Sequence, residues 1–162
     1  MLPIRFMDAD NTMPHTEVYE KRTELHTTLE QLRAFHQREN ILSILTPPPI
    51  FVQVRRDERR SLTEGDIEIT LWFGPVPVRW IARHLPGLSE HSFIDQMVYG
   101  PLAHWQHEHI FEPSDHGVTL IDRVTYAHRS GWRGWLTRVA FGRIPLRLLF
   151  FYRHLRTRLA LR

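Results

Sequence analysis

The sequence predicts an α+β fold: a seven-stranded, strongly curved antiparallel sheet around a long C-terminal helix, with two short helices after the first strand. Three observations predict it. The hydrophobic period changes from near four to two directly after Pro47-Pro48-Pro49. Short alternating runs then recur at close spacing, punctuated by Gly and Pro as hairpins require. The C-terminal segment returns to helical spacing and carries no glycine after Gly142. A chain of 162 residues is expected to form one domain, and at that size it buries roughly 70% of its unfolded surface.

Each element follows from local chemistry. Residues 1–16 hold two prolines and the turn-like Asp8-Ala9-Asp10-Asn11, and read as a flexible leader. Residues 17–26 alternate imperfectly and read as the first strand. Thr27 or Thr28 then caps a short helix, with Glu30 or Gln31 as capping-box partner. Leu29, Leu32, Ala34, Phe35 and His36 keep helical spacing. Residues 40–45 form a second short helix, stopped by the three prolines. Strands are expected at 50–56, 66–73, 77–85, 91–99, 102–112 and 118–126. Turns fall at 57–65, Gly74-Pro75, Pro86-Gly87, Gly100-Pro101 and 113–117. Residues 132–142 form a lead-in helix broken near Gly142, and Pro145 marks the start of the main helix. Leu136, Ala140, Ile144, Leu148, Phe151, Leu155 and Leu159 share one helical face, which is expected to cover the apolar side of the sheet. A curved sheet closed by one helix leaves a cavity suited to an apolar ligand.

Composition narrows the function classes. The absence of cysteine excludes thiolate catalysis, disulfide scaffolds and Cys-type zinc sites. The longest apolar runs fall far short of the ~20 residues that span a bilayer. The N-terminus has no secretory pattern, so a cytoplasmic location is expected. Charge is segregated. All 18 acidic residues lie before position 123, whereas residues 123–162 carry ten Arg and no acid. Such a segment suits nucleic acid, anionic lipid or the acidic remainder of its own domain. With no recognised nucleic-acid motif, nucleic acid is not expected as a partner.

A series of residues carries a family resemblance. Phe35-His36, Leu45-Thr46-Pro47-Pro48, Phe93 with Asp95-Gln96, and Gly100-Pro101 come first. Trp105, His107, His109 and Phe111 follow as W-x-H-x-H-x-F, then Gly117-Val118-Thr119-Leu120 with Asp122 and Tyr126, then Phe151-Tyr152-Arg153. In this order the chain resembles the helix-grip fold of the START-like superfamily, in its SRPBCC, polyketide cyclase/dehydrase-like branch. A second glycine is common before Thr119, and His116-Gly117-Val118 departs from that. The resemblance covers residues 17–160, and residues 17–162 are expected to be one START-like ligand-binding domain. It implies binding of a hydrophobic small molecule or lipid. It does not imply one reaction, since carriers and enzymes share the fold.

The sharpest chemical feature is a polar row. Trp105, His107, His109 and Phe111 share one face of their strand, because side chains alternate. Hairpin registers set by the flanking turns place Asp95 beside His107 on one neighbour and Asp122 opposite His107 on the other. His107, Asp95 and Asp122 are therefore the candidate catalytic set. A carboxylate neighbour raises an imidazole pKa and fixes its tautomer, which suits acid/base work on an enolisable ligand. The same row can instead be a charge network that pins strand register. H-x-H with Asp also has zinc-ligand character; no metal or cofactor is expected. His104 and Glu108 are expected on the solvated side. Trp80, Trp105, His109, Phe111, Tyr126, Phe151 and Tyr152 are the expected ligand contacts. Opposite the apolar helical stripe lie Leu146, Phe150 and Leu161 among Arg143, Arg147 and Arg158, an outward face suited to an anionic membrane surface. Three function classes follow: a carrier or sensor of a hydrophobic molecule, a cyclase/dehydratase-type enzyme, and a membrane-peripheral interaction protein.

Overall fold

The structure is a computed structural model that describes residues 15–162. All but the last two residues of the expected leader lie outside the described residues. The elements run β1 (Glu17–Leu25), α1 (Leu29–His36), α2 (Ile41–Leu45), β2 (Ile50–Asp57), β3 (Gly65–Phe73), β4 (Val76–Pro86), β5 (Ser92–Tyr99), β6 (His104–Ser114), β7 (Gly117–Ala127), α3 (Gly131–Phe141) and α4 (Arg143–Ala160). The seven strands form one antiparallel sheet in the order β1-β7-β6-β5-β4-β3-β2. The chain thus starts beside its last strand, and β2 is the far edge.

Local chemistry sets the boundaries. Thr28 accepts a hydrogen bond from the Gln31 amide, and the Gln31 side chain accepts one from the Thr28 amide. This reciprocal cap satisfies two donors that α1 leaves unpaired. The β4–β5 register shifts between Ile81 and Ala82, and the β2–β3 register between Val54 and Arg56. An unpaired residue bends its strand and increases local twist, which helps curl the sheet. At the β6–β7 turn Gly117 has a φ of 145°, and a Cβ there would collide with the Leu25 carbonyl oxygen. The single glycine of His116-Gly117-Val118 is thus enough to make the turn.

The C-terminal helix is inverted relative to the sequence reading. Leu146, Phe150, His154 and Thr157 are its buried residues, and Phe150 stacks on Tyr19 with ring centroids 5.5 Å apart. The expected core stripe faces outward: Ile144 is 72% exposed, Leu148 67% and Phe151 60%. The cause is a polar continuation of the buried face. Leu146, Phe150, His154 and Thr157 step by four, four and three, but their last two members are hydrophilic. An all-apolar criterion selects the other face. Pro145 lies in the first turn of α4 and Gly142 separates α3 from α4, as expected.

Candidate functional site

The curved sheet and the helices enclose a cavity of about 410 Å³. That is in the range of small-molecule sites. Ile67, Ile69 and Leu71 of β3, Trp80 and Ala82 of β4, and Phe141 and Leu149 of the terminal helices give it mostly apolar walls. One region is polar, where His36, His84, Asp95, His107, His109 and Arg153 reach the lining.

Of these, His84, Asp95, His107 and His109 belong to a chain of alternating carboxylates and imidazoles across four strands. His84 Nδ1 donates to the Leu62 carbonyl at 3.1 Å, and its Nε2 lies 2.7 Å from Asp95 Oδ1. His109 Nε2 lies 3.3 Å from Asp95 Oδ2, and its Nδ1 lies 2.9 Å from Asp122 Oδ1. Asp122 also accepts from His107 Nε2 on Oδ1 and from His154 Nε2 on Oδ2, both at 2.8 Å. His154 Nδ1 then meets the Thr23 hydroxyl at 2.7 Å. The chain runs from β4 to β1 and is tied to α4 through His154.

Burial and mutual charge divide the protonation states. Burial pulls His109 down, but Asp122 and Asp95 outweigh it, so its pKa is raised. Burial alone would raise the pKa of Asp122, but His109 and His107 bring it well below the usual carboxylate range. Asp95 is likewise held well below by His84 and His109 against the effect of burial. His107 is lowered to about 4 by burial and by the His109 charge. His36 is lowered to about 3 by the same two causes. The shifts favour the charged form of His109, between two carboxylates, and the neutral form of His107 and His36. His107 spends its Nε2 proton on Asp122, which leaves the Nδ1 lone pair free. His36 donates from Nδ1 to the Leu32 carbonyl at 2.9 Å, which leaves its Nε2 lone pair free. Arg153 lines the cavity, its charge contributes to lowering both His107 and His36, and it makes no ion pair with a described residue.

No family sequence model matches the chain, and no sequence among curated proteins matches it. Solved structures do match. A protein of Chromobacterium violaceum superposes with a TM-score of 0.68 at 11% identity, covering 90% of this chain and 97% of that one. The Zhui aromatase/cyclase from a Streptomyces species gives 0.61 at 14% identity, with 91% and 92% covered. Norcoclaurine synthase from Thalictrum flavum, in complex with dopamine and hydroxybenzaldehyde, gives 0.62 at 12% identity, with 91% and 88% covered. The chain has the helix-grip fold.

Within this helix grip the expected site residues separate. Trp80, Trp105, His107, His109 and Asp95 line the cavity. Asp122 lies behind His107 and His109 and is 3% exposed. Its backbone partner on β6 is His109, not His107, so the expected register is off by two residues on the same face. Asp95 does pair with His107, as expected. Phe111 packs into a second core cluster with Phe93 and Leu120 instead of lining the cavity. Tyr126 is buried, donates to Glu17 Oε2 at 3.1 Å, and has its pKa pushed to about 12 by burial and Glu17. Phe151 points outward and Tyr152 is half-buried off the cavity, because α4 presents the opposite face. Glu108 is a further correction. It is buried on the convex side, where it accepts from the Leu88 amide at 3.2 Å and Arg123 Nη1 at 3.4 Å.

His84, His154 and Arg153 were not among the expected site residues. His84 was legible in principle, since it alternates with Trp80 and Ala82 on β4. His154 and Arg153 depend on the rotation of α4. Asp95, His107 and His109 offer atoms within 4.8 Å of one another, the set a metal ion would draw on. Both nitrogens of His109 already face carboxylates, so metal binding there would first have to expel a proton. No helix among the described residues is long and apolar enough to cross a membrane.

Proposed function

We propose that the chain binds a hydrophobic small molecule in the cavity, oriented by an oxygen function at the polar end. The cavity carries this reading: about 410 Å³ with mostly apolar walls and one polar region. Arg153 is the group for a carbonyl or carboxylate oxygen, since it reaches the lining without an ion-pair partner among the described residues. The aromatase/cyclase and the norcoclaurine synthase share the fold, which is compatible with an aromatic ligand here. The test is native mass spectrometry for a co-purified ligand, with titration of the neutral fluorophore N-phenylnaphthylamine followed through Trp80 and Trp105. Saturable binding, weakened by Ala82→Phe in a protein of unchanged circular dichroism, is expected. Non-saturable binding, or no response to that variant, would refute the reading.

A second reading, cyclase/dehydratase-type acid/base chemistry, is favoured by the free Nδ1 lone pair of His107. It would take a proton from the carbon beside a ligand carbonyl. The C–H electron pair would become the C=C bond, and the carbonyl π pair would move to an oxygen facing Arg153. A pKa near 4 keeps His107 unprotonated at neutral pH but makes it a mild base. For this reason binding is the first reading. Deuterium exchange into a bound aryl methyl ketone separates the two. Chemistry requires accelerated exchange that His107→Gln abolishes while binding persists.

A further inference from the structure

The inverted terminal helices leave an apolar face pointing away from the sheet. Trp132, Trp135 and Val139 of α3 continue into Ile144, Leu148 and Phe151 of α4, all exposed. Arg133, Arg138, Arg143, Arg147, Arg156 and Arg158 are exposed on the same two helices. No arginine from 129 to 162 forms an ion pair with a described residue, and no acid lies between 123 and 162. Leu148 and Pro145 belong both to this surface segment and to the cavity lining.

We propose that the outward face of α3 and α4 docks on an anionic bilayer surface and brings the cavity mouth to it. Indole rings and branched side chains gain from the headgroup–acyl boundary, and arginines gain from anionic headgroups. A second copy seated on this face would bring two arginine-rich, acid-free surfaces together, at a like-charge cost. A nucleic acid offers phosphates but no apolar phase for Val139, Ile144 and Leu148. Charge complementarity and the apolar stripe together favour lipid. The docking stands on these residues alone; loading of an apolar ligand from the bilayer rests on the ligand reading above.

The experiment is flotation with vesicles of phosphatidylcholine alone and of phosphatidylcholine with phosphatidylglycerol. Co-flotation is expected with the anionic vesicles only, and it should weaken as salt rises. Each arginine near the surface contributes about fivefold in affinity, so Arg143→Glu with Arg147→Glu should lower binding by at least ~tenfold. Trp132→Ser with Trp135→Ser should weaken binding while leaving its salt dependence in place. Unchanged circular dichroism and N-phenylnaphthylamine binding establish that the variants are folded. Equal recovery on both vesicle types, or a charge-reversed variant that floats like the parent, overturns the docking. So does a dimer in light scattering that the charge reversal dissolves, or retention on duplex DNA in place of vesicles. Flotation without transfer of the fluorophore from vesicle to protein overturns the loading role alone. Loss of fluorophore binding in free solution counts instead against the ligand reading.

Discussion

His107 donates through Nε2 to Asp122 Oδ1 at 2.8 Å, although the strand register pairs His107 with Val124 and Asp122 with His109. The carboxylate is therefore shared by two imidazoles on one face of β6, His109 directly across and His107 on the diagonal, and it takes a third from α4 through His154. Asp122 contributes no cavity surface. It fixes the His107 tautomer, balances the His109 charge and fastens the helix to the sheet. Its role is to position His107 and His109, which line the cavity.

Asp122→Asn keeps the volume and removes the charge. His109 would then be a buried cation with only Asp95 opposite it. Breaking a buried pair by removing one partner costs about 3–5 kcal/mol, and that loss is expected in urea unfolding. The His109 resonance should also titrate at lower pH in proton NMR. A loss under ~1 kcal/mol would show that Asp122 is not the centre of the network.

Stability should peak near the ordinary histidine pKa of 6.5. His36 and His107 have folded values of about 3 and about 4. Between 6.5 and those values the unfolded chain takes up protons that the native state refuses, so stability falls as pH falls. Asp95 and Asp122 add to this limb below their ordinary value of 3.8. His109 works the other way. Its raised value contributes fully below 6.5 and is lost as pH rises through it. Chemical denaturation across pH should show both limbs, with His36→Asn flattening the acid one and His109→Gln the alkaline one.

The sheet was legible because its signals are local. Alternation at Ile67, Ile69 and Leu71, prolines before β2, and Gly-Pro turns each report on a few neighbouring residues. Thr28 with Gln31 announced α1 in the same way. The His107–His109 row was legible because alternation fixes a face without knowledge of the partner strand. The register against β7 was not, since the turn extends only over Asp115 and His116 and β6 runs on to Ser114. The rotation of α4 was hidden for a different reason. Its buried face ends in His154, which Asp122 and Thr23 hold from strands distant in sequence, and in Thr157, whose hydroxyl donates to the Arg153 carbonyl one turn back. A polar residue satisfied by a distant partner is invisible to a hydrophobic period.

That rotation makes a pair of substitutions decisive. Phe150 is fully buried against Tyr19, whereas Ile144 is 72% exposed. Phe150→Ala should cost about 3–5 kcal/mol in thermal or urea unfolding. Ile144→Ala should stay within about 0.5 kcal/mol. The reverse order would mean that α4 presents its other face to the sheet.

Arg153 lines the cavity beside the charge network. Its guanidinium carbon lies 5.6 Å from the centroid of the Phe150 ring, and its charge lowers both His36 and His107. Arg153→Met retains the aliphatic packing and deletes the charge. Hydrogen bonds to charged groups contribute about 1.5–3 kcal/mol, so affinity for naphthoate should fall ~tenfold or more by isothermal titration. Affinity for N-phenylnaphthylamine, which has no oxygen, should change little. Loss of the cation should also raise the titration midpoints of His36 and His107 in NMR. These readouts separate roles that stability alone would confuse. A merely structural Arg153 would weaken both ligands equally, whereas a ligand-orienting one selects against the carboxylate.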